Sequence, residues 1–296
     1  GLSPKFIDYS VKKKEKPKAT YNLSLLRTIL STGSPLLHEH YTWIYQSVKN
    51  NVHLASISGG TDLISCFMLG NPLLPVYSGQ IQAAGLGMSI SARSQKGEVL
   101  LEEKGELCCD QPFVSMPLYF LDDPQGLKYR TAYFENYQHL DIWCHGDFVE
   151  IKKSGGIIVY GRSDATLNVG GVRIGTGEIY SELESFNEIN DSLAVEVEKN
   201  KSSFLCLLLK FNNGVEVFEK DLYEKIRKCL VSQLSPRHAP KVIYQVSDIP
   251  YTQSGKKMEL IVKALLNRQK IKNLSAVSNP DCLSEYRQLA KYIHEI

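Results

Sequence analysis

The chain has 296 residues, of which 43% are hydrophobic and 22% charged, a balance that supports a buried core and excludes a disordered or collagen-like polymer. A net charge of +2 excludes a chain-wide basic footprint for nucleic acid or an anionic membrane. Seven cysteines (66, 108, 109, 144, 206, 229 and 282) are odd in number and contain no C-x-x-C pair, which argues against a disulfide framework and a zinc site and for a reducing, cytoplasmic compartment. No apolar run is long enough to span a bilayer, and no signal-peptide pattern opens the chain.

The N-terminus, GLSPKFIDYS, lacks an initiator Met, so we expect a piece of a longer chain. The run from Lys12 to Lys18 is locally basic and reads as a solvated loop. NLSLLRTILS, Asn22 to Ser31, predicts a helical turn and then a buried strand at Thr28–Ser31. Gly33-Ser34-Pro35 ends it as a turn, because Pro35 disfavours helix at Ser34. A helix over Leu37–Val48 places Tyr41, Ile44, Tyr45 and Val48 on one face, and a strand over Val52–Ser58 runs into a loop at Gly59-Gly60-Thr61-Asp62. Strand, helix and parallel strand are α/β wiring.

From Gly79 the texture changes to short alternating runs split by glycines. Hairpin turns are expected at Gln95-Lys96-Gly97 and Lys104-Gly105, within a small antiparallel, barrel-like subdomain that continues through Ile142–Ile151 and Gly156–Tyr160. Cys108 and Cys109, adjacent in a strand, should face opposite sides. After Asp164 an α+β pattern begins. It comprises a helix at Thr176–Ser185, strands at Leu193–Glu198, Phe204–Phe211 and Val242–Val246, an amphipathic helix at Asp221–Leu234 and a helix at Met258–Gln269. A tail follows with a helix from Cys282 to Ile293.

Several short motifs carry chemistry. His145-Gly146-Asp147 sits at a strand, and an isolated H-G-D serves equally as a turn aspartate bonding its own backbone. Arg162, fifteen residues on, serves equally as half of a surface ion pair. Gly170-Gly171 suits either a plain turn or a close backbone approach to a ligand, since glycine has no Cβ. Glu178 suits a helix start. Ser254-Gly255-Lys256 is no Walker A loop, because no glycine lies four residues before Gly255 and Lys257 is neither Ser nor Thr. The neighbouring Lys257 reads as solvated. No strand–G-x-G-x-x-G–helix unit is present, which makes a dinucleotide oxidoreductase the weakest reading.

Taken together, GRSDATLNVGGVRIGTGEIYSELE (161–184) and IPYTQSGKKMEL (249–260) resemble the closing signature of the adenylate-forming acyl-CoA synthetases. HGDF, SISGGTDLISCF and LRTILSTGSPL resemble that family's earlier motifs. The resemblance implies the end of a large AMP-binding domain over 1–163, a parallel α/β layer plus the small antiparallel subdomain. It further implies a mobile α+β lid domain over 164–270 and a tail over 271–296. It implies ATP, AMP and CoA as substrates with Mg2+, and no nucleic acid or membrane span.

Residue by residue, it implies nucleotide contacts from Gly33, Ser34 and Pro35, from Ser58, Gly59, Gly60 and Thr61, from Asp147 and Arg162 at the ribose, and from Arg173. Asp62 stands where the family usually has a Mg2+-positioning Glu. Asp164 matches the hinge, Gly170 and Gly171 the CoA channel, and Lys256 the lysine that bridges carboxylate and α-phosphate. Gly105-Glu106-Leu107 matches a structural G-E-L. Gly59, at a Trp position in acetyl-specific relatives, is expected to leave room for a longer acid such as acetoacetate, with butyrate or propionate as rivals. The family's Gly/Ser/Thr-rich phosphate loop has no counterpart, so this stretch alone is expected not to adenylate, and a non-catalytic nucleotide-binding piece is the alternative.

Overall fold

In the computed structural model the described residues are 1–137, 139–169, 172–199, 202–212, 220–253, 255–271 and 274–295. The chain divides into two compact units, Gly1–Ser163 and Asp164–Ile296.

The first unit opens with α1 (Pro4–Lys12), where Ser3 accepts from the Phe6 amide and Pro4 occupies a position that needs no amide donor. The basic run beyond it is exposed, with α2 (Pro17–Thr20) inside it. Strands β1 (Thr28–Ser31) and β2 (His53–Ser56) pair in parallel, and α3 (His38–Trp43) crosses between them, as the α/β pattern requires. The expected helix to Val48 is present, but its last turn, Ile44–Val48, widens into a π-turn closed by the Lys49 amide on the Ile44 carbonyl. Ile29, Leu54, Tyr41, Ile44 and Val48 pack with Ile7 of α1 into one core.

The expected strand over Val52–Ser58 is interrupted. After Ile57 the chain enters a different sheet, in which β3 (Ser58–Gly60) pairs with β4 (Ser65–Leu69) and β4 with β5 (Ala83–Ala84). Five further strands form an antiparallel sheet: β6 (Ile90–Arg93), β7 (Val99–Leu100), β8 (Lys104–Cys109), β9 (Trp143–Ile151) and β10 (Ile157–Arg162). Its order is β10-β9-β8-β6-β7, and at the β10 edge Ile157 bridges Ile81 beside β5, so the two antiparallel sheets meet there and share one core of Phe67, Met68, Leu107 and Val149.

Gly97 turns the chain between β6 and β7 at φ +86°, as expected. Lys104-Gly105 is not a turn. These residues begin β8, and the reversal lies one step earlier at Glu102, φ +57°. Gly105 instead admits the β6 backbone, since a Cβ there would lie 2.6 Å from the Arg93 carbonyl oxygen. Cys108 and Cys109 do face opposite sides, into different apolar clusters. Helix α4 (Leu127–Tyr133) covers the Trp143 end of β9.

The second unit is a three-layer α/β/α sandwich. A hairpin of β11 (Leu167–Val169) and β12 (Val172–Ile174) leads into α5 (Thr176–Leu183). The central sheet is β13 (Ile189–Lys199), β14 (Ser202–Phe211) and β15 (Val242–Gln245), with β13 antiparallel and β15 parallel to β14. Period-2 alternation sorts β14. Leu205, Leu207 and Leu209 pack against α5 and α6 (Lys220–Gln233), while Phe204, Cys206 and Leu208 pack against α7 (Glu259–Leu266) and α8 (Leu283–Glu295). Burial on both faces is why FLCLLLKF reads as a continuous apolar run. Tyr286, Ala290 and Ile293 of α8 are core residues, so the C-terminal segment completes this unit rather than trailing from it.

Candidate active site

In the first unit the turns after β1 and β2 leave side by side, tied by the Ile57 amide donating to the Ser31 carbonyl (2.8 Å). Gly33 takes φ +106° with open space around its Cβ position, so Gly33-Ser34-Pro35 forms an accessible turn at the carboxyl ends of parallel strands. Ser58, Gly59 and Gly60 lie in strand β3, not in a loop. The reversal is made by residues 61–64, and Ile64 carries its positive φ of 51°.

Gly59 has a further neighbour besides the acid expected there: a Cβ at this position would lie 2.1 Å from the Ser65 carbonyl oxygen, so the missing side chain makes way for the opposing strand. The Gly60 Cβ position lies 2.0 Å from Asp62 Oδ1 and 3.0 Å from the His145 ring, which joins the hairpin to the H-G-D segment.

That segment lies in β9, and its partner is the adjacent edge strand β10, where Arg162 sits directly opposite Asp147. Arg162 Nη1 donates to the His145 carbonyl at 2.9 Å and to Asp147 Oδ1 at 3.3 Å. Gly146 has φ +80°, which favours glycine, and a Cβ on it would meet the Arg162 guanidinium (Nη2 at 2.4 Å) and push it from its place. The Gly146 amide donates to Glu106 Oε1 at 2.8 Å, giving the G-E-L glutamate its structural task. Asp147 is buried while the Arg162 side chain is half exposed. The result is a buried carboxylate one strand in from the sheet edge, beside a partly exposed guanidinium on the edge strand, a pair suited to receiving hydroxyls.

Sequence reasoning missed Tyr133. Its ring stacks on Trp143 at 3.6 Å and 15°, and its hydroxyl donates to Asp62 Oδ2 at 2.5 Å. Burial, then the adjoining Asp62 carboxylate, push its phenol far above the ordinary value, so it stays a donor. The i, i+4 pairing of Tyr129 with Tyr133 in α4 was the available signal. Asp62 itself is exposed. Mg2+ is held by one or two carboxylates completed by phosphate and water oxygens. An exposed Asp with an accessible acid oxygen fits such a partial site.

In the second unit, Lys256 lies on a turn built by three bonds. The Gly255 amide donates to the Thr252 carbonyl, the Thr252 amide to the Lys256 carbonyl (both 2.9 Å), and the Lys256 amide to Thr252 Oγ1 (3.0 Å). Gly255 supplies φ +81°. Lys256 is exposed.

Lys257 is not solvated, contrary to expectation. Its Nζ pairs with Asp191 Oδ1 at 2.9 Å, donates to the Ser192 carbonyl at 2.6 Å and lies 3.9 Å from the centre of the Tyr180 ring. A nitrogen so engaged is no rival to Lys256 for a reacting phosphate. The other limb of the turn is held by residues of the C-terminal segment, with the Ser278 amide donating to the Tyr251 carbonyl and the Tyr251 amide to Asn279 Oδ1.

Arg173 sits in β12 opposite Asn168, and its side chain lies outside what is described. Gly170 and Gly171 lie outside the described residues, as does Ser254. Asp164 is exposed at the first position of the second unit, beside the Glu259 carboxyl, which burial chiefly pushes up.

No family model matches the chain. Acetoacetyl-coenzyme A synthetase of Rhizobium meliloti (strain 1021) is 45% identical over 289 residues, 98% of this chain and 44% of that protein. Acetoacetyl-CoA synthetase of Macaca fascicularis is 45% identical over 287 residues, 96% of this chain and 42% of that one. Along almost its whole length, the chain is homologous to acetoacetyl-CoA synthetases. The solved acetoacetyl-CoA synthetase from Streptomyces lividans superposes with a TM-score of 0.89 at 32% identity, covering 98% of this chain and 45% of that one. The anthranilate CoA ligase AuaEII shares the fold alone, at 17% identity and a TM-score of 0.71 over 89% of this chain and 48% of its own. The mixed α/β architecture is thus that of adenylate-forming acyl-CoA ligases. The chain spans less than half the length of the curated relatives it matches.

Proposed function

We propose that the chain carries part of the machinery of an acetoacetate–CoA ligase, comprising the end of its large AMP-binding domain (1–163), its mobile lid (164–270) and a C-terminal segment (271–296). The observation that carries this reading is the 45% identity to acetoacetyl-CoA synthetases over 98% of the chain.

The reaction proceeds in two steps. An acetoacetate oxygen attacks the α-phosphorus of ATP, forming the acyl–AMP anhydride and releasing pyrophosphate. The CoA thiol then attacks the acyl carbon and AMP leaves. Asp147 accepts the ribose hydroxyls and Arg162 holds Asp147 while reaching the same ribose. Their direct pairing across β9 and β10 supports this. The Gly33-Ser34-Pro35 turn borders the adenine, and Ser58, Gly59, Gly60 and Thr61 line the phosphates. Asp62, oriented by Tyr133, would hold Mg2+, which supplies charge neutralisation at the phosphates when bound. Lys256 neutralises the charge that develops between carboxylate and α-phosphate, and its exposure on a well-bonded turn supports that role.

Arg173 contacts nucleotide phosphate or CoA, Gly170 and Gly171 line the CoA channel, and Asp164 is the pivot of the lid. The junction of the two compact units at Ser163–Asp164 supports the pivot. The work belongs to cytoplasmic lipid metabolism, consistent with seven cysteines that are all free and with the absence of any described helix long and apolar enough to cross a membrane.

The test is acetoacetate- and CoA-dependent formation of AMP and pyrophosphate by the full-length natural protein, with butyrate and propionate as competitors. Acetoacetate is expected to give the highest kcat/KM, and preference for either competitor would reassign the acid. Lys256→Ala is expected to lower adenylate formation by roughly 100- to 1,000-fold or more while sparing thioester formation from preformed acyl-AMP. Equal survival of both half-reactions would remove Lys256 from its role.

A further inference from the structure

Lys257 departs from what an exposed lysine beside a reactive one would do. It folds back into its own unit, and three groups on two elements receive it: Asp191 and the Ser192 carbonyl at the start of β13, and the Tyr180 ring on α5. Asp191 is in turn hydrogen-bonded by the Tyr251 hydroxyl, and its Oδ1 also accepts from the Ser192 amide. Tyr251 and Lys257 face each other across the base of the turn as an antiparallel bridge. One largely buried carboxylate therefore grips both feet of the turn, and Lys256 is the residue next to one of those feet, closing the turn on Thr252. The register of β13 against β14 shifts between Ile189 and Asp191, and this places Asp191 where it reaches both feet.

We propose that Asp191 and Lys257 are positioning residues for Lys256, a clamp that fixes the turn so that the exposed ammonium is delivered in one place for the adenylation step. This rests on the role assigned to Lys256 above.

The physical case is one of entropy. A lysine side chain on an untethered surface turn samples many rotamers and backbone states, and each must be lost before it meets a transition state. Clamping the feet removes the backbone part of that cost in advance. Burial alone would raise the Asp191 carboxyl. The Lys257 ammonium and the bonds from Tyr251, Lys257 and the Ser192 amide outweigh it and hold it below the ordinary value, so the clamp is charged under working conditions.

The experiment has two arms. In the chain itself, amide hydrogen exchange is followed in wild type, Lys257→Met, Lys257→Arg and Asp191→Asn. Faster exchange at the Gly255, Lys256 and Met258 amides in Lys257→Met and Asp191→Asn, with β13, β14 and α7 still protected and Lys257→Arg close to wild type, supports the clamp. Unchanged exchange at the turn overturns it, as does loss of protection throughout the unit, which would make the pair a general stabiliser.

In the full-length protein, Lys257→Met is expected to lower kcat for adenylate formation by roughly 10- to 100-fold, with KM for acid and ATP little changed and thioester formation from preformed acyl-AMP spared. Equal loss in both half-reactions overturns the proposal. Lys256→Ala is run in parallel. If it leaves adenylation intact the underlying role fails, whereas if it abolishes adenylation and Lys257→Met does not, the clamp alone fails.

Discussion

Asp147 and Lys256 are the two groups on which the proposed chemistry most depends, and the protein holds them in opposite ways. Asp147 is buried in a central strand of an antiparallel sheet, with Arg162 opposite it, Glu106 on the preceding amide and the β3–β4 hairpin against His145. Lys256 stands exposed at the neck of a turn, next to the feet by which that turn is anchored to a packed core. A group that must receive a ribose gains from being built into a sheet. One that must reach a reacting phosphate is better carried as an exposed side chain on a backbone whose base is rigid.

That comparison can be broken or sharpened by substitution. The largest effect is expected deep in the second unit. Leu208→Ala removes a fully buried side chain between β14 and the α7–α8 layer and should cost about 2–5 kcal/mol, read from urea unfolding of that unit. Next is Gly59→Ala, whose new methyl has to displace the Ser65–Cys66 backbone. A loss of about 1–3 kcal/mol by thermal unfolding is expected, and an unchanged Tm would show that the hairpin yields and that an open space does exist there.

Tyr133→Phe keeps the stack on Trp143 and removes the bond to Asp62. About 0.5–1.5 kcal/mol of stability should be lost, along with a freer Asp62 detectable by carboxyl NMR. Lys256→Ala should change stability by less than about 0.5 kcal/mol despite its expected effect on adenylation, because its side chain is exposed. The smallest signal is in acid. Asp191 has a lowered carboxyl, so its stabilisation is fully present above its unfolded value of about 3.9 and is lost as pH falls through the still lower folded value. Asp191→Asn should flatten the stability curve of the second unit below about pH 4, with Lys257 and Tyr251 as the neighbours affected.

Much of this was legible in the chain. The parallel pair of β1 and β2, the opposite orientation of Cys108 and Cys109, and the two-sided burial of β14 all follow from periodicities of 2 and 3.6 residues, which local backbone geometry imposes. Asp147 and Arg162 were legible as a spaced pair, and the sheet brings them face to face.

Other features were not legible, and the reasons are particular. Gly59 reads in sequence only as an absent side chain, and the close approach of the opposing strand at Ser65 is seen only in the fold. Lys104-Gly105 has the composition of a turn, but the reversal falls on Glu102, because Gly105 is needed where two strands approach closely. Lys257 has the composition of a solvated residue, and its partner Asp191 is 66 residues away. Local sequence determined which segments are helix and strand, which face of each is apolar, and which motifs carry oxygen and nitrogen groups, because those depend on neighbours along the chain. Only the tertiary structure decided which charges meet, where glycine is compulsory and which of two adjacent lysines stands free, because those depend on contacts between residues far apart in sequence.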